Sequence, residues 1–144
     1  MADRRLFSVS LVTPDGAAYE GDAEMLIVPG AAGEIGVLAR HAPLVAMLNA
    51  GSTRVYVDMD SSQIQTFATG PGFFQVLEDR AIALVDDAIV ASEIDVARAR
   101  QQLEEAQAEL QKVEAGDSAA DRWQLEQRIR HAENQLRVSG RTVS

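Results

Sequence analysis

The sequence predicts an α+β protein, with an N-terminal antiparallel β-sandwich over residues 1–90 and a C-terminal antiparallel helical hairpin over residues 91–144. All four prolines and eight of the ten glycines precede residue 91. Such frequent turn residues suit short strands, whereas their scarcity suits long helices. Apolar residues alternate with polar ones in the first part, and they recur at heptad spacing in the second. The change of period marks the boundary between the two units.

The composition limits the classes of function. The 144 residues carry 13 basic and 22 acidic side chains, a formal net charge of −9, which disfavours binding to nucleic acid or to an anionic lipid surface. The lack of cysteine excludes disulfides, thiol catalysis and cysteine-ligated metals. No signal peptide is recognisable, and no apolar run is long enough to span a membrane. We expect a soluble, acidic, cytosolic chain with no nucleic-acid partner.

Seven short apolar segments, each bounded by turn signals, predict the strands of the sandwich. The first alternates with serines and ends at the turn 13–16. The fourth and fifth flank an acidic turn at 58–62, and the last two flank the turn 78–80, so each pair predicts a hairpin. Many short strands with regular turns are typical of an antiparallel sandwich or barrel. The segments are 7–11, 24–28, 45–48, 55–59, 64–68, 73–77 and 81–85.

Two helices are predicted after residue 91. Ser92 followed by Asp95 has the spacing of a capping box and predicts the start of the first helix. The break at 115–118 contains Gly116, which ends this helix, and it supplies residues that can cap the next one. A break this short predicts an antiparallel hairpin. The apolar seam consists of Val96, Ala99, Leu103, Ala106, Leu110 and Val113 in the first helix and of Leu125, Ile129, Ala132 and Leu136 in the second.

No group of reactive side chains forms a recognisable catalytic or metal site. The glycine-rich segment 29–36 lacks the Gly-Lys-Ser/Thr ending of a phosphate-binding loop, so glycines that let a sheet turn are preferred over a phosphate cradle. His41 and His131 are too isolated to form a metal pair. The adjacent Asp86 and Asp87 are interpreted as solvated rather than metal-binding. We therefore expect a non-catalytic protein with no metal site.

The second helix carries a charged stripe that has two interpretations. Glu126 with Arg130, and Glu133 with Arg137, have the i,i+4 order of a self-paired solvated face. Alternatively, these arginines and Arg122 dock on an acidic partner. The heptad seam has a similar ambiguity, because it could be a permanent contact between the two helices or one that opens to pack against another protein.

Several motifs stand in a fixed order along the chain. They are VTPDG at 12–16, GEIGVL at 33–38 with HAPL at 41–44, GPGFFQV at 70–76 and IDVARA at 94–99. The ordered set resembles the ε subunit of F-type ATP synthases, and IDVARA matches that family's (Ile/Leu)-Asp-x-x-Arg-Ala motif at the start of the first helix. Together with the hairpin, the resemblance covers nearly the whole chain.

The resemblance implies a non-catalytic place in the central stalk of a proton-translocating ATP synthase. The sandwich would pack against the γ subunit and the membrane-embedded ring of c subunits, with Glu34 near the c ring and His41 near γ, and would transmit rotation. The hairpin would fold back or extend to the α and β subunits of the catalytic head, where it blocks ATP hydrolysis. The chain would lie at the cytoplasmic side of the cell membrane through the complex alone. The arginines expected at the inhibitory contact are Arg122, Arg128, Arg130 and Arg137.

The chain departs from the family pattern in two places. Where the family commonly has Pro-Gly before the histidine, positions 39–40 hold Ala-Arg, which changes the turn and adds a charge. In relatives that bind ATP on the hairpin, the counterparts of Asp95 and Arg98 are joined by two second-helix arginines, where this chain has His131 and Gln135. We therefore expect no cofactor beyond weakly bound regulatory ATP at Asp95 and Arg98, which could instead simply pair with each other.

Two other classes of function compete with a stalk subunit. A free-standing adaptor or chaperone would use the sandwich as its body and the helices as a coiled-coil arm. A small-molecule binding module would use the glycine-rich segment 29–36. Co-purification distinguishes the three, because a stalk subunit is recovered with γ, an adaptor with an unrelated client, and a binding module alone with its ligand.

Overall fold

The computed structural model describes residues 5–60 and 63–141, with side chains to residue 140. The start of the chain and part of the predicted acidic turn at 58–62 lie outside the described residues. The chain divides between Val90 and Ala91 into two compact units, one of strands and one of helices. The predicted α+β class, with strands preceding helices, is confirmed.

The first unit is a β-sandwich made from one continuous sheet. The strands are β1 (Phe7–Thr13), β2 (Gly16–Ala23), β3 (Met25–Gly30), β4 (Gly33–Val37), β5 (Leu44–Leu48), β6 (Gly51–Asp58), β7 (Gln63–Thr69), β8 (Gly72–Leu77), β9 (Arg80–Val85) and β10 (Ala88–Val90). Their order is β10-β7-β6-β3-β5-β8-β9-β1-β2, with β4 on β3. The first half of β3 pairs with β6, and its last residue, Gly30, pairs with Leu48 of β5. The sheet therefore folds over at β3 into a first layer, β10-β7-β6-β3-β4, and a second layer, β5-β8-β9-β1-β2.

The structure contains three strands, β2, β4 and β10, that the sequence pattern does not predict. Within the described part of the chain, all strand pairs are antiparallel except β1 with β9, which is parallel. β2 and β4 lack regular apolar alternation, and each buries one residue, Ala23 in β2 and Val37 in β4. The glycine-rich segment forms the β3–β4 hairpin, in which Gly33 has a φ of 134° and a Cβ on Gly30 would lie 2.6 Å from the Gly33 carbonyl oxygen. The interpretation of these glycines as turn residues is confirmed.

The core lies between the two layers and is apolar. Inward positions alternate with outward ones along most of the strands, so Leu11, Val28 and Phe74 are buried while their sequence neighbours face outward. Thr53 and Thr69 bring hydroxyl groups into this interior, and their Oγ1 atoms lie 2.9 Å apart. The buried hydroxyls therefore satisfy each other's hydrogen-bonding needs.

The register gathers the inter-strand turns at two opposite ends of the sandwich. Leu48 pairs with Gly30 and with Gly72, so the turns after β3, β5 and β7 share one end, here the glycine-turn end. Leu44, which begins β5, pairs with Val76 near the end of β8. The connection before β5 (38–43) and the turn after β8 (78–79) therefore share the opposite end, here the Arg40 end.

The second unit begins with a 3-10 turn, Ala91–Glu93, followed by α1 (Val96–Glu114) and α2 (Arg122–Arg141). The prediction that Ser92 caps α1 is wrong. Asp95 is the N-cap, and its carboxylate accepts the Arg98 backbone N–H at 3.0 Å, because Ser92 lies within the preceding 3-10 turn. The predicted cap within 115–118 is also wrong for α2. The carboxylate of Asp121 accepts the first free N–H groups of that helix instead, with the Trp123 nitrogen at 2.9 Å.

The predicted break between the helices is present, and glycine ends α1. Gly116 has a φ of 80°, and its N–H donates to the Val113 carbonyl at 3.1 Å. The Asp117 N–H donates to the Lys112 carbonyl at 2.8 Å. These two hydrogen bonds form a Schellman motif. Neither described helix is long and apolar enough to cross a membrane.

The seam between α1 and α2 is narrow because its buried members are mostly small. The predicted seam residues Leu103, Leu110 and Ile129 are only half-buried. The side chains buried along α1 and α2 in the described part are Ala99 and Ala106 in α1 and Leu125, Ala132, Asn134, Val138 and Ser139 in α2.

Candidate interaction surfaces

Glu34 lies in strand β4 and pairs with Pro29 beside the glycine turn. Its side chain is 55% exposed and its Oε2 accepts a hydrogen bond from Arg54 Nη2 at 3.0 Å. Arg54 reaches Glu34 from β6, across β3, and its buried Nε has no hydrogen-bond partner among the described residues. One side of the Glu34 carboxylate is therefore held by the sandwich, while the rest faces solvent at the glycine-turn end.

His41 lies in the β4–β5 connection, at the Arg40 end of the sandwich. Its Nδ1 lies 2.6 Å from the Ala42 carbonyl oxygen, which fits a protonated Nδ1 that donates. The preceding Arg40 has a φ of 64°, and its backbone N–H donates to Asp79 Oδ1 at 2.6 Å. Glu34 and His41 therefore lie at opposite ends of the unit and cannot belong to one contact site.

An exposed apolar surface covers the outer side of the second layer. Met47 pairs with Phe73, which in turn pairs with Leu84, so their side chains form a row across three strands. Val45 and Ile82 lie in the next row, on either side of Gln75. These five apolar side chains, 37–62% exposed, are here called the apolar face.

The sequence analysis did not identify the apolar face, although a signal for it was present. The segments 44–48 and 81–85 are apolar at successive positions rather than at alternate ones. Strands that are apolar on both sides are buried on both sides. Since the inner side of these strands already fills the core, the outer side remains for a partner.

The charged stripe of α2 forms one i,i+4 ion pair among the described residues, Arg122 with Glu126, and not the two pairs that the sequence order predicts. Arg122 Nη2 lies 3.2 Å from Glu114 Oε1, and Arg122 Nε lies 3.2 Å from Glu126 Oε1, so this arginine ties the two helices together. Neither Glu126–Arg130 nor Glu133–Arg137 is among the ion pairs of the described residues. Arg128, Arg130 and Arg137 are exposed. Of the four predicted inhibitory arginines, three therefore keep their guanidinium groups open to a partner.

Asp95 and Arg98 are brought together as a helix cap rather than as a side-chain ion pair. The Asp95 carboxylate binds the Arg98 backbone N–H, and the Arg98 side chain is exposed. Further along α2, the Gln135 amide nitrogen lies 3.0 Å from His131 Nε2. Arg98 is thus a single cation beside a carboxylate that already caps the helix. Binding of a triphosphate is favoured by paired guanidinium groups, which Asp95 and Arg98 do not supply.

The two aspartates that follow β9 contribute to a turn. A Cβ on Gly70 would overlap Asp86 Oδ1, so the Asp86 side chain fills the space that this glycine leaves. The backbone is fixed there as well, because Gly70 N–H donates to the Asp87 carbonyl at 2.9 Å. In the described part of the chain, no three His, Cys, Asp or Glu side chains converge as metal ligands.

Comparison with known proteins matches both units. The family model for the ATP synthase delta/epsilon chain, beta-sandwich domain, covers residues 6–91, and that for the long alpha-helix domain covers residues 92–140. The ATP synthase epsilon chain of Halalkalibacterium halodurans is 41% identical over 133 residues, which are 92% of this chain and 96% of the relative. That of Rubrobacter xylanophilus is 34% identical over 141 residues, 96% of this chain and 94% of the relative.

Solved structures support the same fold. A chain of the Euglena gracilis mitochondrial ATP synthase, in its OSCP/F1/c-ring assembly, superposes with a TM-score of 0.74 over 90% of this chain and 78% of that chain, at 24% identity. A chain from the Tetrahymena thermophila central stalk and c-ring gives a TM-score of 0.57 at 12% identity, over 99% of this chain and 100% of that chain. The resemblance drawn from the sequence motifs is confirmed: the chain belongs to the ε subunits of F-type ATP synthases.

Proposed function

We propose that this protein is a non-catalytic central-stalk subunit that couples rotation of the membrane c ring to ATP synthesis in the catalytic head. The apolar face is the observation that carries the proposal. A sheet with one side in its own core and apolar residues on the other is typical of a surface that binds a second protein, and membership of the ε family makes γ the candidate. The chain would then be held at the cytoplasmic side of the membrane only through the complex.

The apolar face has enough exposed area to anchor such a partner. Met47 is 61% exposed and Phe73 is 39% exposed, so covering both buries about as much surface as one whole apolar side chain. Burial of one such side chain contributes roughly 1.5–3 kcal/mol. Loss of both should therefore weaken binding about 10- to 100-fold.

Binding of the full chain to purified γ tests this part of the proposal. We expect the double variant Met47→Ser/Phe73→Ser to lose affinity by that factor. Ile64→Ser serves as the matched control, because Ile64 is 43% exposed but lies on β7 in the other layer. Equal affinities for the double variant and the wild type would contradict docking on the apolar face.

The glycine-turn end is proposed to contact the c ring through Glu34. The Arg54–Glu34 pair is partly exposed, with 28% and 55% of the two side chains open to solvent, so it contributes at most about 1 kcal/mol to folding. Glu34→Ala should therefore leave a folded subunit but reduce the proton pumping obtained per ATP hydrolysed. Glu20→Ala, on exposed β2, is the control, and normal coupling in Glu34→Ala under load would contradict the assignment.

The hairpin is proposed to inhibit ATP hydrolysis by docking on the α and β subunits of the head. Arg128, Arg130 and Arg137 support this role because their exposed side chains can meet carboxylates. Deletion of residues 91–144 should then raise ATP hydrolysis by the assembled enzyme while synthesis persists. Unchanged hydrolysis, in a complex shown to contain the shortened subunit, would remove the inhibitory role and leave the structural one.

The competing functions receive less support. The glycine-rich segment is a hairpin turn, so it offers no cradle for a small molecule. A free-standing adaptor has no specific observation in its favour once the family is known. Weak regulatory ATP binding at Asp95 and Arg98 stays a prediction, and calorimetry on the isolated subunit tests it.

A further inference from the structure

Arg54 connects three strands of the first layer through its contact with Glu34. It pairs with Ile27 of β3, and Ile27 in turn pairs with Gly36 of β4. Glu34 stands two positions before Gly36 and therefore lies on the same side of β4. The Arg54 side chain thus crosses β3 diagonally, and its Nη2 donates to Glu34 Oε2 at 3.0 Å.

The guanidinium group of Arg54 has little freedom to move. Only 28% of the Arg54 side chain is exposed, and its Nε is buried. Both Arg54 and Glu34 stand on hydrogen-bonded strands, so their backbones are held by the sheet. A guanidinium is planar and presents its donors in a rigid fork. Arg54 therefore holds Glu34 Oε2 at a defined place, as a supporting residue does when it is built on a rigid element.

The second carboxylate oxygen of Glu34, Oε1, accepts no hydrogen bond within the described residues, where Arg54 is the one ion-pair partner of Glu34. The Glu34 side chain is 55% exposed at the glycine-turn end, so a partner protein can reach it. An ionised carboxylate accepts hydrogen bonds and donates none, and its bonds to cationic donors are the strongest. The group that fits Oε1 is therefore a hydrogen-bond donor, and a basic side chain fits best.

We infer that Arg54 is a positioning residue, which holds Oε2 of Glu34 so that Oε1 faces a hydrogen-bond donor of the c ring. This inference rests on the proposed contact between Glu34 and the c ring, and it adds the orientation of the carboxylate and the chemistry of its partner. A side chain that must be ordered on binding reduces affinity. Because Arg54 orders Glu34 beforehand, it strengthens the contact without touching the ring.

Binding of the assembled catalytic head, carrying the full chain, to purified c rings tests the inference. We expect Glu34→Gln, which removes the negative charge, to weaken binding roughly tenfold. Arg54→Met keeps an unbranched stem but has no donor, so it should weaken binding roughly three- to fivefold through the loss of order in Glu34. Arg54→Lys, which keeps the cation, should bind more tightly than Arg54→Met. Arg100→Gln, at an exposed arginine of α1, is the control and should bind as the wild type does.

The double variant Glu34→Gln/Arg54→Met decides whether Arg54 acts through Glu34. If it does, adding Arg54→Met to Glu34→Gln should weaken binding no further, because the two residues then act as one unit. A purely structural role of Arg54 would lower the affinity by the same factor with either residue at position 34, and that result would overturn the inference.

Two further results would contradict the inference. Wild-type affinity of Arg54→Met would overturn it, and a loss of affinity in Glu34→Gln would then leave the proposed contact with the c ring intact. Wild-type affinity of Glu34→Gln would overturn the inference and the proposed contact together.

Discussion

Gly72 begins β8 in a crowded position, and its replacement tests the packing of the second layer. It pairs with Leu48 of β5 and with Val85 of β9. A Cβ at this position would lie 1.9 Å from the Leu84 carbonyl oxygen and 2.8 Å from the Val85 Cα. Both atoms belong to the backbone, so relief requires a shift of β9 rather than a change of rotamer.

Gly72→Ala should therefore lower the free energy of unfolding of the sandwich by about 3 kcal/mol, the upper part of the range for overpacked interiors. Gly36→Ala is the matched control, because a Cβ there meets nothing within 4 Å. Glycine inside a strand costs conformational entropy, so Gly36→Ala should stabilise the unit by roughly 0.5 kcal/mol.

Urea denaturation of the full chain, followed by the amide NMR signals of strands and helices separately, measures both changes. The strand signals should lose stability in Gly72→Ala, while the helix signals serve as an internal reference. A loss in Gly72→Ala of less than about 1 kcal/mol, or an equal loss in Gly36→Ala, would refute the argument from steric overlap.

Three further outcomes are expected. Burial of Tyr19, reinforced by the nearby Asp22, raises the pKa of its hydroxyl above 10.0. The folded state therefore keeps this proton longer, and stability should be constant below about pH 10 and fall as the pH rises through the folded pKa; Tyr19→Phe should flatten that decline in a pH–stability curve. Asp95→Ala should destabilise the start of α1 by about 1 kcal/mol through loss of the N-cap, visible as faster amide exchange there. Calorimetry should detect only weak ATP binding to the isolated subunit, and micromolar affinity would contradict this.

The sequence predicted those elements whose signals are local. The alternation of apolar and polar residues between turn signals located β1, β8 and β9. The heptad spacing of apolar residues, together with the break at Gly116, located both helices. β2 and β4 were missed because they consist largely of glycine, alanine and acidic residues. Each buries a single side chain, so hydrogen bonds to the neighbouring strands stabilise them more than burial does. The N-cap of α1 depended on whether the side chain of Ser92 or that of Asp95 reaches a free backbone N–H, and spacing alone does not decide this.

The candidate surfaces required knowledge of the register. Glu34 and His41 are near in sequence, yet the direction of β4 separates them to opposite ends of the sandwich. Met47, Phe73 and Leu84 are far apart in sequence, and only the pairing of three strands brings them into one row. Arg122 has one i,i+4 partner on its own helix, Glu126, and the turn between the helices brings Glu114 to it as a second partner.

The parallel pairing of β1 with β9 has a consequence for how the chain is made. The first strand of the sandwich must wait for one of the last, since Ser8 pairs with Arg80 and Val12 with Leu84. During synthesis, the β1–β2 hairpin therefore stays open along one edge until β9 has left the ribosome. Non-local strand pairing is slow, and unpaired strand edges promote aggregation. The nascent subunit is thus most vulnerable just before its sandwich closes, and early termination within residues 1–80 should yield insoluble chains.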